Sequence, residues 1–395
     1  MKNIILLFWL LTGLAGTAQI KILFDATKAE TANNADWQID ADNFNLKYNP
    51  NPVIGGNEAN PQRFPSPDQS TVTMQTDESY WTGANSAWGI ELVQYGYQVE
   101  TLPYNGQITY GDSNNPQDLT NYNVFIVTEP NILFTANEKL ALMNFVQNGG
   151  GLFITSDHDR SDRNGDGDDS VDVWNDFFQN NPMQSDPFGF LFNYKNFSET
   201  TSNVANLPSN PILHGFFGDV TALEFHGGTS INLFPTDNNT VQGLIFRQSL
   251  QDEALFVSAQ FGQGRVVAIG DSSPADDGTG DPHDRLYNGW YDEGNGSHRK
   301  LMLNASVWLA HDDTNAIANY NKKALRTFVK NDFLYIKLKY KSKVRSIVIN
   351  DLTGKTVLKF NKSANNYNIA TLPHGIYLLN VSDQRGNHYY DKFMK

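Results

Sequence analysis

The sequence predicts an α/β fold, a parallel sheet with helices on both faces, followed by a small β-sandwich. Three observations carry this. Short apolar runs alternate with amphipathic stretches through the acidic part of the chain, the pattern of strands joined by crossover helices. Several of those runs end in Asp or Ser, as at Asp25, Ser156 and Asp271. From residue 316 onward the chain holds 15 of its 29 Lys and Arg but only 4 of its 43 Asp and Glu, and the pattern changes to alternating strands.

The elements follow in order. Lys2, the apolar run IILLFWLL and small residues ending in GTA read as an export signal over 1–18, cleaved after Ala18. The run is too short to span a bilayer, and no later stretch is long and apolar enough to do so. IKILFD (20–25) is a buried first strand, and 31–82, rich in Asn, Asp, Pro and Gly, is a long loop after it. ANSAWGIELVQYG (84–96) suits a helix closing at Gly96; QVETLP and NVFIVT are the next strands. TANEKLALMNFVQ (135–147) is a helix whose Thr135 and Glu138 form a capping box, and LFIT (152–155) is a fourth strand. GRVVAIGDSS (264–273) repeats the strand-then-Asp pattern, and 297–310 is a last helix. The expected organisation is therefore an α/β domain over 19–312, a linker over 313–325 and a β-sandwich over 326–395 built of runs such as FLYIKLKY and VRSIVIN.

The chain has no cysteine, which excludes a thiol nucleophile, a zinc–thiolate site and disulfides. A net charge of −14 argues against nucleic acid as a partner. There is no P-loop, dinucleotide fingerprint, GxSxG elbow or HExxH, so no nucleotide cofactor is expected.

Two resemblances complete this reading. VINDLTGKTVLK, LPHGIYLLNV and the terminal KFMK resemble the C-terminal sorting domain of type IX secretion. That resemblance implies contact with the secretion machinery and a secreted or cell-surface location. ILFDAT, NGGGLFITSDH, GQGRVVAIGDSS and NASVWLA resemble the class I glutamine-amidotransferase-like fold, with its flavodoxin-like sheet, nearer to the trehalose-utilisation branch than to the amidotransferases. The amidotransferases carry Cys where this chain has Ser156-Asp157-His158, so hydrolysis of glutamine through a thioester is excluded. The branch implies a carbohydrate context by analogy.

In parallel sheets ligands bind at the carboxyl ends of the strands. That rule gathers Asp25, Glu129, Ser156–Asp159 and Asp271 on one rim. His158, His226 and His283 each lie in a polar loop after a strand, where a histidine serves as a base near neutral pH. The catalytic candidates are His158, Asp157, His226, His283 and Asp271. Arg160 and Arg285 suit an anionic substrate, and Tyr287 and Trp290 suit a sugar face. Asp162, Asn164, Asp166, Asp168 and Ser170 are spaced like the start of a calcium loop, with Gly167 at its bend; Val173 stands where the closing bidentate Glu belongs. Possible ligands to replace it are Asp169 and Asp172.

The expected function is a secreted carbohydrate-active enzyme for an anionic, uronate-containing polysaccharide, sulfated or not, or its oligosaccharides. Elimination by a histidine base is the leading mechanism. The alternatives are hydrolysis by a pair from Asp157, Asp271 and Asp277, a non-catalytic glycan-binding protein, and an esterase using Ser156.

Overall fold

The computed structural model describes residues 19–39, 69, 72–73, 76–248, 250, 252–280, 287–292, 294–312, 325–330, 332–338, 343–351, 355–384 and 388–395. The expected export signal, most of the expected linker, and the candidates His283 and Arg285 lie outside the described residues.

The first half alternates strand and helix as its pattern predicts. Strands β1 (Lys21–Asp25), β2 (Gln98–Leu102), β3 (Val124–Thr128) and β4 (Gly151–Thr155) are interleaved with helices α1 (Ser86–Tyr95) and α2 (Ala136–Gln147), and α3 (Ser170–Gln179) follows β4. Then come β5 (Phe190–Phe192), β6 (Phe197–Thr201), β7 (His214–Gly215), β8 (Gly218–Asp219), β9 (Leu223–Gly228), β10 (Ile231–Leu233), β11 (Gln242–Phe246), β12 (Ala254–Phe261), β13 (Gly264–Ile269) and α4 (His298–Leu309).

Among the described residues the central sheet runs β2-β1-β3-β4-β13-β12-β10-β5, with β11 also on β12. From β2 to β13 all pairings are parallel. Beyond β13 the sheet turns antiparallel, so the expected parallel sheet is only mostly parallel. The cause is local. Gly262, at φ 59°, and Gln263 join β12 to β13 by a two-residue hairpin, so no crossover helix separates them.

Side-chain alternation divides the core in two. Ile22, Phe24, Val124 and Ile126 face a cluster with Trp88 of α1 and Leu301 and Met302 of α4. Leu23, Phe125, Val127 and Leu152 face the other, with Leu142 and Phe145 of α2 and Trp174 and Phe177 of α3. Helices therefore cover both faces, leaving the strand ends for polar chemistry. The capping box of Thr135 and Glu138 is present at the start of α2.

The basic C-terminal part holds β14 (Leu325–Lys330), β15 (Phe333–Leu338), β16 (Val344–Asn350), β17 (Thr356–Phe360), β18 (Tyr367–Asn368), β19 (Ile376–Asp383) and β20 (His388–Met394). They form two antiparallel sheets, β14-β15-β18 and β17-β16-β19-β20.

Candidate functional site

The carboxyl ends of β1, β3, β4 and β13 bring Asp25, Glu129, Ser156–His158 and Asp271 to one rim. A cavity of about 250 Å³ opens there, and His158, His226, Tyr287, Arg160, Asp162 and Asp271 are among its walls.

A half-buried cation organises this rim. Arg163 donates from Nε to Glu129, from Nη2 to Asp157 Oδ2 at 3.0 Å and from Nη1 to Asn34 Oδ1 at 2.8 Å. Its backbone N–H donates to Asn131 Oδ1 at 2.9 Å, so both ends of the residue are held. The other Glu129 oxygen accepts from Ser272 Oγ at 3.0 Å. Glu129 is fully buried and adopts a left-handed backbone, φ 51°, which turns the chain sharply after β3.

Asp157 is held by Arg163 and lies against His158, whose Nδ1 is 3.2 Å from Oδ1, at ion-pair distance but off the line of a hydrogen bond. Burial first, and then the Glu129 charge, push the Asp157 carboxyl up to about 6, against the pull of His158 and Arg163. The neighbouring Asp157 raises the pKa of His158, and burial opposes it. Nδ1 is buried beside Asp157, and His158 lines the cavity. An imidazole oriented by a buried carboxylate is the arrangement a proton-transfer group requires.

The cavity is also lined by His226, whose ring stacks on Tyr287 with centroids 4.9 Å apart and planes 12° apart. Its Nε2 is 3.6 Å from Glu224 Oε2, and its backbone N–H donates to Asp271 Oδ2. Close backbone approach makes this possible. A Cβ at Gly228 would sit 2.6 Å from Asp271 Cβ, and one at Gly270 would sit 2.1 Å from the Thr229 carbonyl oxygen. The HGG of EFHGGTS is thus a steric requirement for bringing β9 onto the end of β13.

Several expected roles change. Asp271 is 1% exposed and both its oxygens accept from backbone, Oδ1 from Ser273 at 2.9 Å and Oδ2 from His226. Burial first, then the Asp157 charge, push it to about 7, and its geometry is that of a clamp positioning His226. Asp277 accepts from the Ala87 N–H at 2.8 Å, capping α1 from a distant loop. Ser156 is fully buried, with its Oγ 3.2 Å from Ser170 Oγ, so it is no exposed nucleophile. Trp290, expected to meet substrate, is 1% exposed and packs near Trp88 in the core. Arg160 lies at the mouth with its side chain 91% exposed, 3.6 Å from Asp159. Tyr287 lines the cavity.

The calcium-like loop is also rearranged. Asp162 Oδ1 accepts from Gly165 at 2.7 Å and Oδ2 from Gly167 at 2.9 Å; Asn164 Nδ2 donates to the Asn131 carbonyl and to Asp166 Oδ2. Ser170, expected as a ligand, is fully buried, and its Oγ accepts from the Asp157 N–H at 2.8 Å. The cause is that α3 begins at Ser170, capped by Asp169, and this helix carries Val173 into the core. Among the described residues no group of three or more His, Asp and Glu is arranged to hold a metal ion.

Arg163 and Asn34 were not among the sequence candidates. Their signal was weak, because Asn34 lies 129 positions from Arg163 and nothing local marks the pair.

Similarity to solved structures is weak. The "mmIFT52 N-terminal domain" is 14% identical, with a TM-score of 0.42 over 74% of this chain and 99% of that one. A ThuA-like protein from Parabacteroides merdae is 11% identical, with a TM-score of 0.36 over 74% and 91%. A β-galactosidase from Bacillus circulans is 11% identical, with a TM-score of 0.33 over 78% of this chain and 37% of that one. No curated protein matches the chain. Among the described residues no helix is long and apolar enough to cross a membrane. Residues 330–395 match the secretion system C-terminal sorting domain, and this tail marks the protein as a secreted or cell-surface product that engages the type IX secretion machinery.

Proposed function

We propose that the protein is a secreted carbohydrate-active enzyme that cleaves a uronate-containing saccharide by elimination, with His158 as the base. The observation that supports this most is the His158 ring, whose Nδ1 lies 3.2 Å from the buried Asp157 carboxylate, in a cavity that His226 stacked on Tyr287 also lines. In the proposed step Nε2 takes the proton from the carbon next to the sugar carboxylate. That electron pair forms the carbon–carbon double bond, the neighbouring carbon–oxygen bond breaks, and the departing oxygen takes a proton from His226. Arg160 at the mouth faces the sugar carboxylate, since Arg163 is already committed to Glu129, Asp157 and Asn34.

Hydrolysis by a carboxylate pair has less support. Asp157, Asp271 and Asp277 are all buried and engaged by Arg163 or backbone amides. Calcium at Asp162, Asn164, Asp166 and Asp168 stays a proposal that requires the loop to rearrange, since both Asp162 oxygens now accept from the loop's own amides and its carboxylates are not gathered around an ion. The test is a panel of uronate oligosaccharides followed by mass and ultraviolet absorbance. Elimination gives an unsaturated product of unchanged total mass, and His158→Ala lowers kcat by about 100-fold or more. A product that has only gained water, or full activity in His158→Ala, overturns the reading. Binding without turnover leaves a glycan-binding protein.

A further inference from the structure

A second concavity of about 410 Å³ lies at the opposite edge of the central sheet. Its position follows from register: Gln260 pairs with Arg265 and Phe261 with Gly264, at the amino end of β13, whereas the His158 cavity opens beyond its carboxyl end. Trp308, near the end of α4, forms one wall. Arg265 lies over this indole, 5.0 Å from the ring centroid, and donates to the Trp308 carbonyl at 2.6 Å, which holds the ring in place.

The lining is uncharged. Trp308 is joined by Ser258, Gln260, Gln242 and Ser209, with Pro208 and Pro211 as apolar faces. The side chains of Ser258, Gln260, Gln242 and Ser209 and the Trp308 indole N–H make no hydrogen bond among the described residues. Ser258 is 5% exposed yet uncommitted. Strand alternation puts Ser258 and Gln260 on one face of β12. That backbone is pinned, since the Gln260 N–H donates to Thr240 Oγ1 at 2.9 Å and its carbonyl accepts from Asn238 Nδ2 at 2.8 Å. A rigid wall thus carries hydroxyl, amide and indole N–H groups that all lack partners, beside an aromatic ring. This combination is complementary to a ligand with both apolar faces and many hydroxyls. An anion would find no cation in the lining, and a cation no carboxylate.

We propose that this groove is a second saccharide-binding site, selective for an uncharged oligosaccharide chain. It holds the protein on a neutral glycan while the opposite edge remains free. The assignment stands on the groove alone and does not rest on the chemistry of the His158 cavity.

The test uses the exported full-length protein labelled with ¹⁵N-tryptophan. The Trp308 indole signal is identified by its loss in Trp308→Phe. The probes are neutral cello-, xylo- and mannooligosaccharides, a uronate oligosaccharide and a proline-rich peptide. At least one neutral oligosaccharide is expected to move the Trp308 signal saturably. Gln260→Ala combined with Gln242→Ala, both exposed positions, weakens that binding about fivefold or more. His158→Ala leaves it unchanged, which separates this site from the proposed active site. The proposal is overturned if no neutral oligosaccharide moves the signal, if the Gln variants bind as the parent does, or if the uronate chain or the peptide binds equally well.

Discussion

Replacing Arg163 by Met removes the cation that joins Glu129 to Asp157 while keeping most of its volume. Both partner carboxylate side chains are at most 5% exposed, and the Arg163 side chain is 15% exposed. Breaking a buried pair by deleting one partner costs about 3–5 kcal/mol, because the remaining charge has no compensation. Here two carboxylates remain, so the expected loss at pH 8 is at the upper end of that range. The loss must also depend on pH. The native Asp157 carboxyl titrates near 6, above its unfolded value, so the folded state holds the extra proton and stability falls as pH rises from about 4 through the folded pKa. Without Arg163 that pKa climbs further and the fall continues to higher pH, at about 1.4 kcal/mol per unit of added shift. The deficit of Arg163→Met is therefore about 1–3 kcal/mol larger at pH 8 than at pH 5. Guanidinium unfolding followed by tryptophan fluorescence at the two pH values measures it. A deficit below about 1 kcal/mol, or one equal at both pH values, would falsify the role given to Arg163.

Other predictions separate structural from functional roles. Asp277→Asn weakens the cap on α1 and lowers stability by about 1–2 kcal/mol in chemical denaturation, with turnover on a uronate substrate retained; a collapse of turnover in a folded variant would return Asp277 to the site. Trp290→Ala costs about 3–5 kcal/mol through its core cavity, whereas Tyr287→Ala changes stability little and impairs substrate handling, so KM and the melting temperature should move in opposite members of the pair. Burial first and then neighbouring carboxylates raise the pKa of Asp168, so millimolar calcium should raise the melting temperature and a chelator should reverse it. An unmoved transition removes the ion from the account. Turnover should fall on acidification through the raised pKa of His158, because the base must be neutral; a pH profile unchanged in His158→Gln argues for another base.

The legible parts of the fold were those set by neighbours in sequence. The short apolar runs ILF, VFIV and LFIT placed the first strands, and Thr135 with Glu138 placed the start of α2, because a buried run or a cap is written within a few residues. The site was legible as far as the strand ends predict it: His158, Asp157, His226 and Tyr287 do meet in one cavity. What escaped depends on distant partners. Arg163 sits inside the very stretch singled out as a calcium loop, yet its role is fixed by Glu129 and Asn34, from two other loops. Trp290 reads as a loop aromatic, but its surroundings are Trp88 and the core. Ser170 fits ligand spacing until Asp169 caps a helix there and turns the hydroxyl inward.

Glu129 stands under two opposed demands. Its φ of 51° suits glycine or asparagine, and a bulkier residue there costs about 1 kcal/mol or more. Its carboxylate, however, is the one that Arg163 and Ser272 share. In a mutant library, selection for backbone ease alone would drive position 129 toward Gly or Asn, and selection for turnover would hold Glu. The residue recovered there is therefore a readout of which pressure governs this protein, obtainable without knowing its substrate in advance.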